Sequence, residues 1–266
     1  MNEPRELSLA ALDFLELGPP AFLDVAAGAG FSSVSLRTWA AVPGGLEYPL
    51  LEGGRLSDAT RERMDATGVT ILQIELVSLA RDVEIESYRP VLEGGAALGA
   101  GRVVACGDDE DGVVVERLAE LCDRAAELGM SVDVEFMPFR DLATLPQALD
   151  VVARAERDNA CVMVDALHLF RSGSSVASVA VAPPSRIGVC QLCDALLAAP
   201  APDLLATEAR EQRLLPGDGE LPLRDLVQAL PAGVSLAAEV PNRVCFAGMP
   251  PADRARLVYQ ATSALL

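Results

Sequence analysis

The chain has 266 residues, 51% of them hydrophobic, and a formal net charge of −18. This charge argues against binding to nucleic acid or to anionic membranes, because both need clustered positive charge. All 21 Lys-or-Arg positions are arginine, and the missing lysine excludes Schiff-base chemistry and a P-loop.

Short apolar runs alternate with helical patterns along the whole chain. In order, the predicted strands are 7–12, 33–37, 69–76, 102–107, 131–136, 160–165, 186–192 and 234–240. The predicted helices are 19–29, 57–67, 86–99, 111–128, 144–157, 222–230 and 251–265. Eight strands alternating with helices predict an α/β fold, a single (β/α)8 TIM barrel over residues 1–266. A doubly wound sheet is the alternative, but no glycine-rich fingerprint follows the first strand.

Membrane insertion and secretion have no support in the sequence. No apolar run reaches the roughly 18 residues that a membrane span needs. The first residues, MNEPRELSLAAL, lack the basic region and cleavage site of a signal peptide. We therefore expect a cytoplasmic protein. The sequence is compatible with a homo-oligomer and does not specify the oligomeric state.

Polar residues close four of the predicted strands. They are Glu135, Asp165, Gln191 and Glu239. A buried carboxylate is costly unless a charged group meets it, and the C-terminal ends of barrel strands meet at one face. Three carboxylates and one amide oxygen suit a divalent cation. The sequence therefore predicts that these four residues bind one metal ion.

Strand alternation is consistent with this prediction. Successive strand residues point to opposite faces, so Glu135 and Asp133 should face the barrel interior, while Val132 and Val134 face the helices. The strands that end near Asp165 and Glu239 follow the same pattern, with branched apolar residues on the outer face.

Five segments resemble the xylose isomerase-like barrel superfamily of sugar phosphate isomerases and epimerases. They are VEFMP around Glu135, MVDALH from Asp165 to His168, CQLCDA around Gln191, RLLPGDGEL at 213–221 and AAEVPN around Glu239. The resemblance covers nearly the whole chain. It implies a TIM barrel that holds one divalent metal at these strand ends and acts on a small keto-sugar or polyol.

Gln191 departs from the commonest pattern of that superfamily, whose ketose epimerases usually carry histidine there. The keto-polyol dehydratases of the superfamily resemble this chain in using glutamine. An all-oxygen set of ligands favours Mn²⁺ or Mg²⁺, with Co²⁺ or Zn²⁺ as alternatives. The glutamine therefore strengthens the dehydratase hypothesis, and it does not weaken the prediction of a metal site.

The resemblance also implies catalytic roles. A bound metal that chelates a carbonyl and its neighbouring hydroxyl acidifies the adjacent C–H bond and stabilises an enediolate. Glu135 and Glu239 are the candidates for the base and the acid. His168 follows Asp165 in the D-x-x-H arrangement of the superfamily and is expected to contact substrate or move a proton; the alternative is a packing role.

Further residues at the predicted mouth are candidates for substrate binding. Arg213 matches an arginine of the superfamily that reaches over the substrate oxygens; its alternative is a solvated loop cation. Glu75 and Arg37 are placed at the mouth by alternation, and either could instead belong to an internal ion pair. Asp194 is expected to orient the metal ligands.

Three functions follow. The first is a divalent-metal-dependent isomerase or epimerase of a keto-sugar or related polyol. The second is a metal-dependent lyase that dehydrates a cyclic keto-polyol, as dehydroshikimate and inosose dehydratases do. The third is a non-catalytic binding protein built on the same barrel.

Overall fold

The computed structural model of the protein describes residues 5–41, 44–107 and 111–266. Within them the strands are β1 (Leu7–Leu9), β2 (Ser33–Arg37), β3 (Thr70–Ser78), β4 (Arg102–Cys106), β5 (Ser131–Glu135), β6 (Ala160–Asp165), β7 (Ile187–Leu192) and β8 (Ser235–Ala238). They form a closed parallel barrel in chain order, with β1 beside β8. The predicted TIM barrel is confirmed.

The helices surround this barrel. Among the described residues they are α1 (Pro19–Ala29), α2 (Arg55–Thr67), α3 (Arg89–Ala97), α4 (Asp111–Glu127), α5 (Leu145–Ala155), α6 (Ala166–Arg171), α7 (Val176–Ala180), α8 (Leu205–Glu211), α9 (Leu223–Ala229) and α10 (Pro251–Ser263). A search of the described helices finds none with the length and apolarity needed to cross a bilayer.

Three short helices were not predicted. They are α6, α7 and α8, and each has seven residues or fewer. A helical period needs a window of about 11 residues or more to be recognised, so these segments carry too little pattern. The helix predicted over 86–99 begins instead with a 3-10 turn, Ile85–Tyr88, and α3 starts at Arg89 just before Pro90.

The first strand is shorter than predicted. It ends at Leu9, and a 3-10 turn spans Ala11–Phe14. This turn carries the Asp13 side chain into the cavity at the barrel mouth. The apolar run 7–12 therefore covers a strand and the start of a turn. Hydrophobicity does not distinguish the two, because every residue from Leu7 to Ala11 is buried.

The predicted alternation of faces is confirmed. Val132 and Val134 pack in the large core between strands and helices, whereas Met163 belongs to the smaller cluster inside the barrel. Asp133 is fully buried and accepts two hydrogen bonds of 2.5 and 2.6 Å from Arg102. The barrel interior thus tolerates a carboxylate where a guanidinium pairs with it.

Candidate functional site

The ends of β5 to β8 carry the four predicted metal ligands to the barrel mouth. Glu135 and Asp165 end their strands, Gln191 is the second-last residue of β7, and Glu239 directly follows β8. All four are buried, with at most 6% of any residue exposed. A cavity of about 780 Å³ opens at this end, and Glu135, Gln191 and Glu239 line it.

Three of the side chains at the mouth form a compact group that could hold a metal. One ligand atom from each of Glu135, Asp165 and His168 lies within 4.8 Å of the other two. Asp165 caps the N-terminus of α6, and its Oδ1 accepts a 2.9 Å hydrogen bond from the backbone N–H of His168. The cap fixes the backbone of His168 in the first turn of α6, and the imidazole Nε2 lies 3.7 Å from Glu135 Oε1.

Gln191 and Glu239 lie side by side at the same mouth. The Gln191 amide nitrogen donates a 3.2 Å hydrogen bond to Glu239 Oε1. Gln191 Oε1 is buried and has no hydrogen-bond partner among the described residues, which is costly unless a ligand meets it. A divalent cation can bind carboxylate oxygens, an amide oxygen and a neutral imidazole. The types of donor atom at the mouth therefore suit such an ion.

Arg213 is the internal counter-ion of the site. Its Nη1 lies 2.6 Å from Asp165 Oδ2, and its Nη2 lies 3.0 Å from Glu239 Oε2. Its Nε donates to the backbone oxygen of Ala209 at 2.7 Å, and the residue is only 2% exposed. The alternative of a solvated loop cation is therefore wrong. The guanidinium bridges two of the predicted metal ligands.

The loop after β7 holds Arg213 in place. The backbone N–H of Arg213 donates to Pro241 O at 3.0 Å, and Asp194 and Leu214 exchange two backbone hydrogen bonds of 2.8 Å. The Asp194 carboxylate accepts hydrogen bonds from the backbone of Gly217 and other loop residues. Asp194 therefore organises the loop that carries Arg213, rather than the metal ligands directly.

Burial and mutual repulsion set the protonation of the carboxyl groups. Burial raises the pKa of Glu135 well above its usual value, and the charges of Glu239 and Asp165 raise it further. Burial also raises the pKa of Glu239 to about 8, against the opposing effect of Arg213. Asp165 is equally buried, yet Arg213 and His168 hold its pKa below the usual value. A bound cation would favour the ionised form of all three.

The imidazole of His168 is neutral at physiological pH. Burial lowers the pKa of His168 to about 4. Its ring packs edge-on against Phe139, with 5.5 Å between the ring centroids, and its Nδ1 has no hydrogen-bond partner among the described residues. A neutral ring offers a lone pair, so His168 can accept a proton or a metal as well as contact substrate.

Arg37 and Glu75 form the internal ion pair that was the alternative to substrate binding. They are partners across β2 and β3, and Arg37 Nη2 lies 2.9 Å from Glu75 Oε2. Both residues line the cavity. Arg37 Nε and Glu75 Oε1 are buried and lack hydrogen-bond partners among the described residues. The pair therefore leaves one donor and one acceptor for a ligand hydroxyl.

Asp13 is a cavity residue that the sequence analysis missed. Its Oδ2 accepts a 2.7 Å hydrogen bond from the backbone N–H of Val240, directly after Glu239. The signal was available, because a carboxylate that follows an apolar strand is the same feature that identified the four predicted ligands. Asp13 directly follows the apolar run 7–12, of which only Leu7–Leu9 form the strand.

Asp13 should make the stability of the protein depend on pH. Burial raises the pKa of Asp13 from 3.8 to about 7; the hydrogen bond from Val240 and the charges of Arg213 and Arg254 oppose this rise, and Glu16 adds to it. The folded protein therefore keeps a proton that the unfolded chain releases, so stability falls as pH rises from about 4 to about 7.

Asp13→Asn should remove this dependence, so the stability of the variant should gain a few kcal/mol relative to wild type between pH 4 and pH 7. Urea unfolding in chelator at several pH values measures the difference. Asp158→Asn, at a fully exposed side chain, is the control and should follow the wild-type curve. A constant difference between Asp13→Asn and wild type across this range would contradict the prediction.

Comparison with known proteins gives one family and several relatives. A family described as xylose isomerase-like TIM barrel matches residues 23–260. An inosose isomerase of Bacillus licheniformis is 31% identical over 121 residues, which are 41% of this chain and 44% of that protein. A 3-dehydroshikimate dehydratase of Pseudomonas aeruginosa is 30% identical over 129 residues, 46% of this chain and 20% of that protein.

The fold is also similar to solved structures. The structure of an IolI protein with a bound zinc atom superposes with a TM-score of 0.80 at 22% identity and covers 98% of this chain and 97% of its own. At this identity the likeness concerns the fold. The matches to the two curated relatives cover less than half of each relative's length.

Proposed function

The chain belongs to the xylose isomerase-like TIM-barrel family, and from this premise we propose that it is a divalent-metal-dependent enzyme that isomerises or epimerises a keto-sugar or related polyol. The observation that carries the proposal is the metal-capable group of Glu135, Asp165 and His168 at the mouth of the barrel. The single-domain organisation and the cytoplasmic location stay predictions from the sequence.

The proposed metal ligands are Glu135, Asp165, Gln191 and Glu239, with the nearby His168 as a further donor. The orphaned amide oxygen of Gln191 supports this assignment, because a cation would satisfy it. The similar IolI structure holds zinc, while the oxygen-rich set in this chain favours Mn²⁺ or Mg²⁺. When bound, the ion polarises a substrate carbonyl and so acidifies the neighbouring C–H bond.

The residues of the chain would then move the proton. Glu135 and Glu239 stand on strands separated by β6 and β7, so they can approach a substrate from two sides. Burial raises the pKa of both carboxyl groups in the metal-free protein, and a bound cation would favour their ionised form, which accepts a proton. The unpaired donor and acceptor of Arg37 and Glu75 would orient a substrate hydroxyl. Return of the proton to the other carbon isomerises the substrate, and return to the opposite face epimerises it.

Dehydration of a cyclic keto-polyol is the second candidate. It is favoured by the glutamine at position 191 and by the similarity to a 3-dehydroshikimate dehydratase. The same proton abstraction would be followed by loss of a β-hydroxyl group instead of reprotonation. His168, which is neutral and lines the cavity, would accept the proton taken from the carbon and pass it to the β-hydroxyl, which would leave as water.

Metal analysis followed by a substrate panel tests the proposal. Chelator-treated protein would be reloaded with Mn²⁺, Mg²⁺, Co²⁺ or Zn²⁺ and incubated in D₂O with D-allulose, an inosose and 3-dehydroshikimate, with products followed by NMR. We expect metal-dependent turnover. Deuterium incorporation without loss of water supports the isomerase, and loss of water supports the dehydratase. Stoichiometric metal without turnover, or no metal at all, would favour a binding protein and contradict the proposal.

A further inference from the structure

An arginine without an acidic partner lies at the cavity. Several arginines line the cavity, and four of them form ion pairs with carboxylates: Arg37, Arg213, Arg243 and Arg254. Arg210, in the last turn of α8, lines the cavity as well. Within the described part of the chain, it forms no hydrogen bond and no ion pair; its one recorded contact is with the ring of Phe139.

The acidic residues next to Arg210 in the chain are already paired with other arginines. Glu208 accepts hydrogen bonds of 2.8 and 2.6 Å from Arg171, and Glu211 lies 3.1 Å from Arg243. Arg210 itself is exposed, so a ligand in the cavity can reach its guanidinium. In a chain with a net charge of −18, a cavity arginine that pairs with no carboxylate of its own is available to an anion from outside.

Phe139 connects the guanidinium to the metal-capable group. The guanidinium carbon of Arg210 lies over the Phe139 ring, 5.7 Å from its centroid, which is within the range of a cation–π contact. The centroid of the same ring lies 5.5 Å from that of the His168 imidazole, whose Nε2 lies 3.7 Å from Glu135 Oε1. Two short ring contacts thus lead from Arg210 to the metal-capable group, so one small substrate can contact both.

The chemistry of Arg210 selects a carboxylate. A guanidinium keeps its charge at all physiological pH values, and its planar fork of N–H donors matches the two oxygens of a carboxylate. A phosphate group is more often held by backbone N–H groups at the N-terminus of a helix. Arg210 lies at the opposite end of α8, where the exposed groups are carbonyl oxygens. A single guanidinium in this place therefore suits a carboxylate better than a phosphate.

We propose that Arg210 binds a carboxylate group of the substrate, so that the substrate is a keto acid with several hydroxyl groups rather than a neutral sugar. The proposal rests on the proposed function and deepens it, because it names the substrate class of the same site. It applies to the isomerase and to the dehydratase alike, since both reactions begin at the carbonyl and leave the carboxylate unchanged.

The test compares ligands that differ in one group. D-fructose, D-fructuronate and the corresponding sugar phosphate carry a hydroxymethyl, a carboxylate and a phosphate group at the same carbon, and 3-dehydroshikimate is compared with its neutral carboxamide. Steady-state kinetics with Mn²⁺-loaded enzyme gives kcat and KM. Titration calorimetry with shikimate and its carboxamide, which lack the carbonyl, measures binding without turnover.

The variants are Arg210→Gln and Arg210→Lys, with Arg55→Gln as the matched control. Arg55 is an exposed arginine at the start of α2. Like Arg210, it forms no ion pair within the described part of the chain, but it lies outside the lining of the cavity. Its substitution removes the same charge from the protein without touching the proposed site.

We expect wild type and Arg55→Gln to prefer each acid over its neutral counterpart by about tenfold or more, mainly through KM, and to bind shikimate more tightly than its carboxamide by a similar factor. Arg210→Gln should reduce both preferences to about twofold and leave the constants for the neutral ligands unchanged. Arg210→Lys should be intermediate, because it keeps the charge and loses the fork.

The alternatives give different results. A wild type that prefers the neutral ligand or the phosphate would overturn the carboxylate assignment. An Arg210→Gln variant that weakens acid and neutral ligand equally would do the same, because it would show a structural role. Equal losses of preference in Arg210→Gln and Arg55→Gln would show an effect of overall charge and would also overturn the assignment.

Calorimetry separates this proposal from the proposed function. If no ligand is turned over, the proposed function fails. A preference for shikimate over its carboxamide that disappears in Arg210→Gln would then still support the carboxylate site. Equal affinity of wild type for the two ligands, or no binding of either, would overturn the carboxylate site as well.

Discussion

Glu239→Gln is expected to lower kcat/KM by about 10³-fold or more while the barrel stays folded. Glutamine has the same shape and can keep the contact with Gln191, but it can neither exchange a proton nor offer a charged oxygen to a cation. Loss of a positioned acid or base alone is worth about 10²–10⁴-fold, and a weakened metal site adds to this. Steady-state kinetics in saturating Mn²⁺, with calorimetric metal titration, measures both effects.

Glu120→Gln is the control for this substitution. Glu120 lies on α4, outside the barrel, and its 38% exposed side chain pairs with Arg117. Its kinetic constants should equal those of wild type. Circular dichroism and thermal unfolding would show that Glu239→Gln is folded. Wild-type kcat/KM in folded Glu239→Gln would exclude Glu239 from proton transfer and from the metal site.

The second large effect is expected at Arg213. Arg213→Gln removes the cation that bridges Asp165 and Glu239, and it leaves a buried carboxylate without its counter-charge. Breaking a buried ion pair in this way costs about 3–5 kcal/mol. We expect the free energy of unfolding, measured by urea denaturation in chelator, to fall by this amount.

A divalent cation should rescue Arg213→Gln. An ion that binds the folded state supplies the missing positive charge and stabilises it by mass action, so added Mn²⁺ should recover most of the loss. Arg243→Gln is the control, because the Arg243 side chain is 77% exposed in its pair with Glu211, and exposed pairs contribute about 1 kcal/mol or less. A loss below about 1 kcal/mol for Arg213→Gln in chelator would show that Arg213 does not compensate the site.

The repeated pattern of the chain was sufficient to predict the barrel and the place of the candidate site. Strand alternation is a local property of the backbone, so the inner and outer faces around Glu135 could be read from neighbouring residues. The ends of parallel strands meet at one face in any TIM barrel, so polar residues at those ends could be expected to converge. Asp13 carries the same signal, because it directly follows the apolar run 7–12, although the structure places it in a 3-10 turn rather than at a strand end.

Other features depended on contacts between distant segments. Arg213 lies 48 positions from Asp165 along the chain, and only the closed barrel brings the guanidinium between two carboxylates. The register between β2 and β3 decides that Arg37 pairs with Glu75 and leaves Arg37 Nε and Glu75 Oε1 without partners among the described residues. Closure of the barrel between β1 and β8 also brings Asp13, after the first strand, next to Val240 after the last.

The sequence by itself therefore determined the fold class, the faces of the strands and the end of the barrel at which the polar residues gather. These follow from local periodicity and from geometry common to all parallel barrels. The tertiary structure alone decided which charged groups neutralise one another and which buried atoms stay without a partner. The energy of an ion pair depends on the distance between the two charges and on how deeply they are buried. The local sequence specifies neither quantity.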